Sequence, residues 1–207
     1  MLQRRVPLLV ALVILVMGLT GPLLWQHAEA RYRFHPVRDG VLYRARQPEG
    51  LAWQQLAPLQ ITKVVNLRPR DEDPEIFDEE VRQAAGQGGR MIHIPMDNNF
   101  PTQEQLERFL RVVLEPGGAT LVHCAQGRQR TGSMVAAYRV IVQDWSPDDA
   151  IEELKEFLDS HEPVMYERRL AMLQDLRATR QQWLARLASP PMPGSTTSRP
   201  ASAPATK

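Results

Sequence analysis

Cysteine is all but absent: Cys124 is the only one in 207 residues. That excludes an intramolecular disulfide framework and any zinc site built from several thiolates. A lone thiol then has to be explained by burial or by reactivity. Net charge is missing too, with 25 Lys and Arg against 24 Asp and Glu. Leaving out Arg4, Arg5, Glu29, Arg199 and Lys207 at the two ends, the body of the chain holds 21 basic and 23 acidic groups. No basic field is present to neutralise a phosphate backbone, which argues against nucleic acid as a partner. The chain also lacks internal repeats, and His35, His93 and His161 do not have the spacing of metal ligands. What it does have is 43% hydrophobic residues, enough for one packed core.

Three segments are expected. Residues 1–30 open with Arg4 and Arg5 and continue into an uncharged, apolar run over 6–25, ending at Ala28-Glu29-Ala30. Basic residues, an apolar core and a small-x-small site are the parts of a secretory signal peptide. The run is also long enough to remain as a membrane anchor, and the flanking arginines (Arg31, Arg33 and Arg38 beyond it) do not choose between the two. Both readings put the main domain outside the cytoplasm: exported (periplasmic or extracellular) or anchored to the inner membrane. Residues 188–207 are dominated by Pro, Ser, Thr and Ala and read as a disordered tail. Between them, residues 31–187 form a single domain.

Within that domain short apolar stretches at 41–45, 63–67, 91–94 and 119–123 predict strands. Helical patterns cover 51–59, 74–85, 102–114, 131–143, 147–158 and 166–187, with Asp73-Pro74 and Ser146-Pro147 as N-cap and first-turn pairs. Alternating strands and helices imply an α/β fold: a central, mostly parallel sheet of four to five strands flanked by helices. In such folds sites lie beyond the strand C-termini.

The segment that carries chemistry is Val122-His123-Cys124-Ala125-Gln126-Gly127-Arg128-Gln129-Arg130-Thr131-Gly132. An apolar strand ends at His123 and a helical pattern begins just beyond Gly132. A loop winding into a helix N-terminus aims several backbone N–H groups at one spot, which suits a phosphate-sized anion. Gly127 permits the positive φ such a cradle needs. Arg130 adds a planar fork of donors for phosphate oxygens. The same positive surroundings lower the Cys124 pKa and leave a nucleophilic thiolate. Such a site needs neither metal nor cofactor.

His-Cys-x5-Arg-Thr-Gly resembles the phosphate-binding loop of the protein tyrosine phosphatase superfamily, in its compact dual-specificity branch. The likeness extends over residues 38 to 160, including Leu42-Tyr-Arg-Ala-Arg-Gln-Pro48 and Val64-Val-Asn-Leu-Arg68. It implies the cysteine phosphatase fold, with Cys124 as nucleophile and Arg130 on the equatorial oxygens. Thr131 would ease departure of the thiolate, and His123 would order the loop and tune the thiol. Residues 125–130 (Ala125, Gln126, Gly127, Arg128, Gln129, Arg130) would bind the phosphate. Asp97, the one carboxylate in the loop from Pro95 to Pro101, would be the general acid, with Glu104 and Glu107 already on the following helix. The Trp-Pro-Asp form of the larger tyrosine phosphatases is not present.

The implied activity is hydrolysis of phosphate monoesters, phosphotyrosine and possibly phosphoserine or phosphothreonine, on a phosphoprotein or a phosphorylated small molecule. Arg128 keeps open an inositol polyphosphate or phosphoinositide substrate. Among enzymes a sulfurtransferase is the nearest rival, and from a different class a silent phosphate-binding module. Arg44, Arg46, Arg68 and Arg70 could line the mouth of the site, with a solvated surface expected for most of them, and Asp71 to Glu75 are expected as acidic decoration of a helix start.

Overall fold

In the computed structural model, residues 34–50, 52–158 and 163–190 are described. The apolar run, the expected cleavage site, His161 and all but the first residues of the tail lie outside them. Five strands, β1 (Phe34–Arg38), β2 (Leu42–Arg46), β3 (Ile61–Asn66), β4 (Arg90–His93) and β5 (Ala119–Cys124), make one sheet in the order β1-β2-β5-β3-β4. Only the β1–β2 pair is antiparallel. β1 was not expected as a strand. It is an edge strand with a single buried residue, Val37, and it carries Pro36, which only an edge tolerates. β5 lies in the middle, and all six of its residues are buried. A run of Thr, Leu and Val with no polar alternation suits a strand covered on both faces.

Helices α1 (Ala52–Leu56) and α2 (Pro74–Gly86) cover one face of the sheet, where Trp53, Leu56 and Ala84 meet Tyr43, Val64 and Leu121. The other face takes α3 (Gln103–Leu114), α4 (Gln129–Ile141), α5 (Pro147–Lys155), α6 (Pro163–Ala178) and α7 (Arg180–Ala188), around Phe109, Met134, Tyr138, Leu173 and Trp183. The expected caps are in place: Asp73 accepts from Ile76 N and Ser146 from Asp149 N. Thr102 and Gln105 add a reciprocal capping box at α3.

Several boundaries differ from expectation, among them three near the site and in the C-terminal helices. α4 begins two residues earlier, because the loop after Cys124 winds directly into helix at Gln129. α5 stops at Lys155 rather than 158. The stretch expected as one helix from 166 breaks at Thr179, which sits at φ −100°, ψ 10° and bonds its hydroxyl back to the Asp175 carbonyl. α4 is the central helix, buried without interruption from Thr131 to Ile141. That explains why its apolar residues are spread round the helix rather than set in one stripe.

Candidate active site

The C-terminal ends of β2, β3, β4 and β5 converge on one edge of the sheet, and backbone hydrogen bonds continue past the strands to knit their loops together. Gln47 N donates to Ala125 O, Leu67 N to His123 O, and Met96 N to Leu67 O. β5 thus delivers Cys124, 4% exposed, to the floor of a loop fastened from both sides.

Gly127 has φ +70°, as expected, and a Cβ there would run into the Ala45 carbonyl. Glycine is therefore required both by conformation and by the close approach of β2. Behind the loop, Arg44 donates from a terminal nitrogen to Gly127 O at 2.8 Å, with its guanidinium 3.6 Å from the Phe157 ring centroid. Arg44 is 2% exposed, which corrects its expected place on a solvated surface. Burial lowers its pKa to about 10, against the charges of Glu153 and Cys124 that favour the cation, so it stays protonated at neutral pH. Of the other arginines in that group, Arg70 is exposed and pairs with Asp78, Arg46 is half-buried, and Arg68 belongs to the site.

Burial alone would push the Cys124 thiol up. The Thr131 hydroxyl, the backbone N–H groups of Thr131 and Arg128, and the charge of Arg130 outweigh it and hold the thiol below its ordinary value. Thr131 Oγ1 is buried and has no partner of good hydrogen-bond geometry among the described residues. A hydroxyl in that position has the thiolate as its outlet.

Arg130 forks onto a carboxylate. Its two terminal nitrogens lie 2.6 and 3.2 Å from the Glu72 oxygens, and one of them is 3.4 Å from the Met96 carbonyl. Glu72 also accepts from Arg68 Nε at 3.1 Å, and the hydrogen bond from Arg130 holds its carboxyl below the usual range. The acidic stretch at 71–75 is therefore more than decoration: Asp73 caps α2 and Glu72 holds the arginine. Met96 sits beside Arg130 in the chain's return past β4, so the next residue, Asp97, belongs to this edge of the sheet. Asp97 is exposed, and its carboxylate has no partner among the described residues. Glu107, in contrast, is committed to Arg111 at 2.8 Å, and Glu104 lies in the first turn of α3.

The loop bearing Asp97 is braced at its far end. Asn98 Oδ1 accepts from Phe100 N, and the Phe100 ring lies against Arg168 and Arg169, at 4.7 and 5.8 Å. Arg169, 2% exposed, also donates to Gln129 Oε1 in the loop after Cys124. α6 therefore touches both loops of the site. Of the remaining candidates, Ala125 accepts from Gln47 N, Gln126 is exposed, and Arg128 is half-buried at the loop's turn into α4.

A buried thiol at a strand end, a loop ending in arginine, and an exposed carboxylate in the loop after β4 are the groups a cysteine phosphatase would use. A family model described as "DSP-PTPase phosphatase fused to NAD+ Kinase" matches residues 36–171. The chain belongs to the DSP-PTPase family. It is 31% identical over 127 residues to the dual specificity protein phosphatase TpbA of Pseudomonas aeruginosa, a match covering 60% of this chain and 52% of TpbA. It is 31% identical over 132 residues to the probable tyrosine-protein phosphatase DG1060 of Dictyostelium discoideum, covering 61% and 76%. The chain thus spans about half the length of TpbA and three quarters of DG1060. The crystal structure of TpbA from P. aeruginosa superposes with a TM-score of 0.55 at 24% identity, covering 68% of this chain and 86% of that one. This likeness in fold agrees with the sheet and helices described above.

His35, stacked edge-on against Phe157, and His93, edge-on to Phe77, serve packing. The residues that sequence reasoning missed are Glu72, Glu80, Gln47, Asn66 and Arg169. For Arg44 a signal was present: it shares the period-two face of the fully buried Leu42 on β2.

Proposed function

We propose that the protein hydrolyses phosphate monoesters with Cys124 as nucleophile. The observation that carries this is a thiol held below its ordinary pKa at the floor of a loop that ends in Arg130. Cys124 Sγ attacks phosphorus, the phosphorus–oxygen ester bond breaks, and Asp97 gives its proton to the departing oxygen. The loop N–H groups and Arg130 take the charge of the transferring phosphoryl group. Thr131 stabilises the thiolate as it leaves. A water deprotonated by Asp97 then cleaves the phosphorus–sulfur bond and releases inorganic phosphate.

Phosphotyrosine is the favoured substrate, with phosphoserine and phosphothreonine in second place. TpbA, captured in complex with pTyr, supports this reading. Residues 1–30 are read as a signal peptide or anchor that carries the domain out of the cytoplasm. Among the described residues no helix is long and apolar enough to cross a membrane.

The test is hydrolysis of an aryl phosphate with a chelator present. Turnover by the wild type, and none by Cys124→Ser despite retained phosphate binding, is the expected result. Appreciable turnover by the serine variant would overturn the mechanism. A phosphopeptide panel beside inositol phosphates then tests the substrate class, and separation of the wild-type chain into membrane and soluble fractions tests the anchor.

A further inference from the structure

Glu80 lies in the middle of α2, 1% exposed, on the side of the sheet away from the nucleophile's helix. A carboxylate so placed costs free energy unless every lone pair is used. Here each oxygen is used. Oε1 is 2.6 Å from His123 Nε2, while Oε2 accepts from Asn66 Nδ2 at 2.7 Å and Gln47 Nε2 at 2.9 Å. Burial would push the carboxyl up, but the imidazole and the two amides outweigh it and keep it below the usual range. An ionised Glu80 requires the proton of His123 on Nε2, which fixes ring and tautomer. The other ring nitrogen, Nδ1, has no partner among the described residues.

From Glu80 the hydrogen bonds run on in one direction. Gln47 Oε1 accepts from an Arg68 terminal nitrogen at 3.1 Å, Asn66 Oδ1 accepts from Arg68 N at 2.8 Å, and Arg68 Nε reaches Glu72, which holds Arg130. The two ends of this chain of contacts, His123 and Arg130, are the residues that bracket the phosphate loop on either side of Cys124. We infer that Glu80 is the positioning residue of the phosphate loop, setting the nucleophile's end through His123 and the arginine's end through Gln47, Asn66, Arg68 and Glu72. The titratable and charged groups that face it are His123 from β5 and, beyond the amides, Arg68 after β3.

The inference rests on the phosphatase reading, and its experiment separates the two. Full-length wild type, Glu80→Gln and Gln47→Leu are compared for aryl phosphate turnover, inhibition by inorganic phosphate, and alkylation of Cys124 by iodoacetamide across pH. Glu80→Gln keeps the shape and loses the charge. It is expected to lower kcat by about 10²-fold, the scale of a small misplacement, and to move the alkylation midpoint toward that of an ordinary thiol. Gln47→Leu removes one of the two amide links between Glu80 and Arg68, so weaker phosphate inhibition is expected, with a smaller move of the alkylation midpoint than in Glu80→Gln. Glu80→Gln indistinguishable from wild type in all three readouts overturns the inference. Should Glu80→Gln fail to fold, Gln47→Leu decides alone: unchanged phosphate inhibition overturns the inference and weakened inhibition supports it. Should the wild type turn over nothing, the phosphatase reading fails, and protection of Cys124 from alkylation by phosphate still compares Glu80→Gln with wild type.

Discussion

Single residues do unusual duty around Cys124, and each can be tested by itself. Gly127 has both a positive φ and a carbonyl in the way of any Cβ. Gly127→Ala is therefore expected to cost about 1–3 kcal/mol in a thermal or denaturant melt and to abolish phosphate binding. Arg44 predicts a split instead. Arg44→Met removes a desolvated charge, so stability should change little or rise. The Gly127 carbonyl loses its donor, and kcat should fall about 10-fold through a looser loop. Glu72 carries a pH signature: its folded carboxyl titrates below its ordinary value of 4.5. The Arg130–Glu72 pair thus stabilises the fold fully above that value and is lost as the pH falls through the lowered one. Melts of Glu72→Gln should show a deficit near neutral pH that closes in acid. Asp97→Asn should flatten the alkaline limb of the pH–rate profile and lower kcat by about 10²- to 10⁴-fold. An unchanged profile would move the acid role elsewhere.

Elements were more readable from sequence than the contacts between them. β5 and the loop after it follow from Leu121-Val122-His123-Cys124 ending where Gly127 begins the turn, and Cys124, Arg130 and Thr131 follow with them. β1 was hidden because an edge strand with one buried residue has no pattern to detect. The break at Thr179 was hidden because apolar residues continue at helical spacing on both sides of it. Glu80 and Glu72 were unreadable for a different reason: a carboxylate on α2 or in the turn before it looks like any solvated acid until the sheet places it against His123 or Arg130. The split at Thr179 creates its own need. α7 is fastened by Arg111 of α3, whose guanidinium bonds the carbonyls of Arg186 and Ser189, each at 2.8 Å. Arg111→Ala should cost about 1–2 kcal/mol, and amide hydrogen exchange over Arg180–Ala188 should show α7 loosening before the global melt.

At the scale of the whole molecule, the parallel sheet brings four strand ends to one edge, and both faces contribute to what stands there. α4 and α6 on one face supply the cradle, Arg130 and the braces on Gln129 and Phe100. α2 on the other supplies the carboxylate behind His123. This arrangement holds the Cys124 thiol below its ordinary pKa, in the loop proposed to bind phosphate. Because Cys124 is the only cysteine, the pH dependence of alkylation of the full chain reads this one sulfur. Alkylation is expected with a midpoint well below the free-thiol value of about 8.5, suppressed by inorganic phosphate and restored in Arg130→Ala. A midpoint at the free-thiol value, indifferent to phosphate, would contradict it.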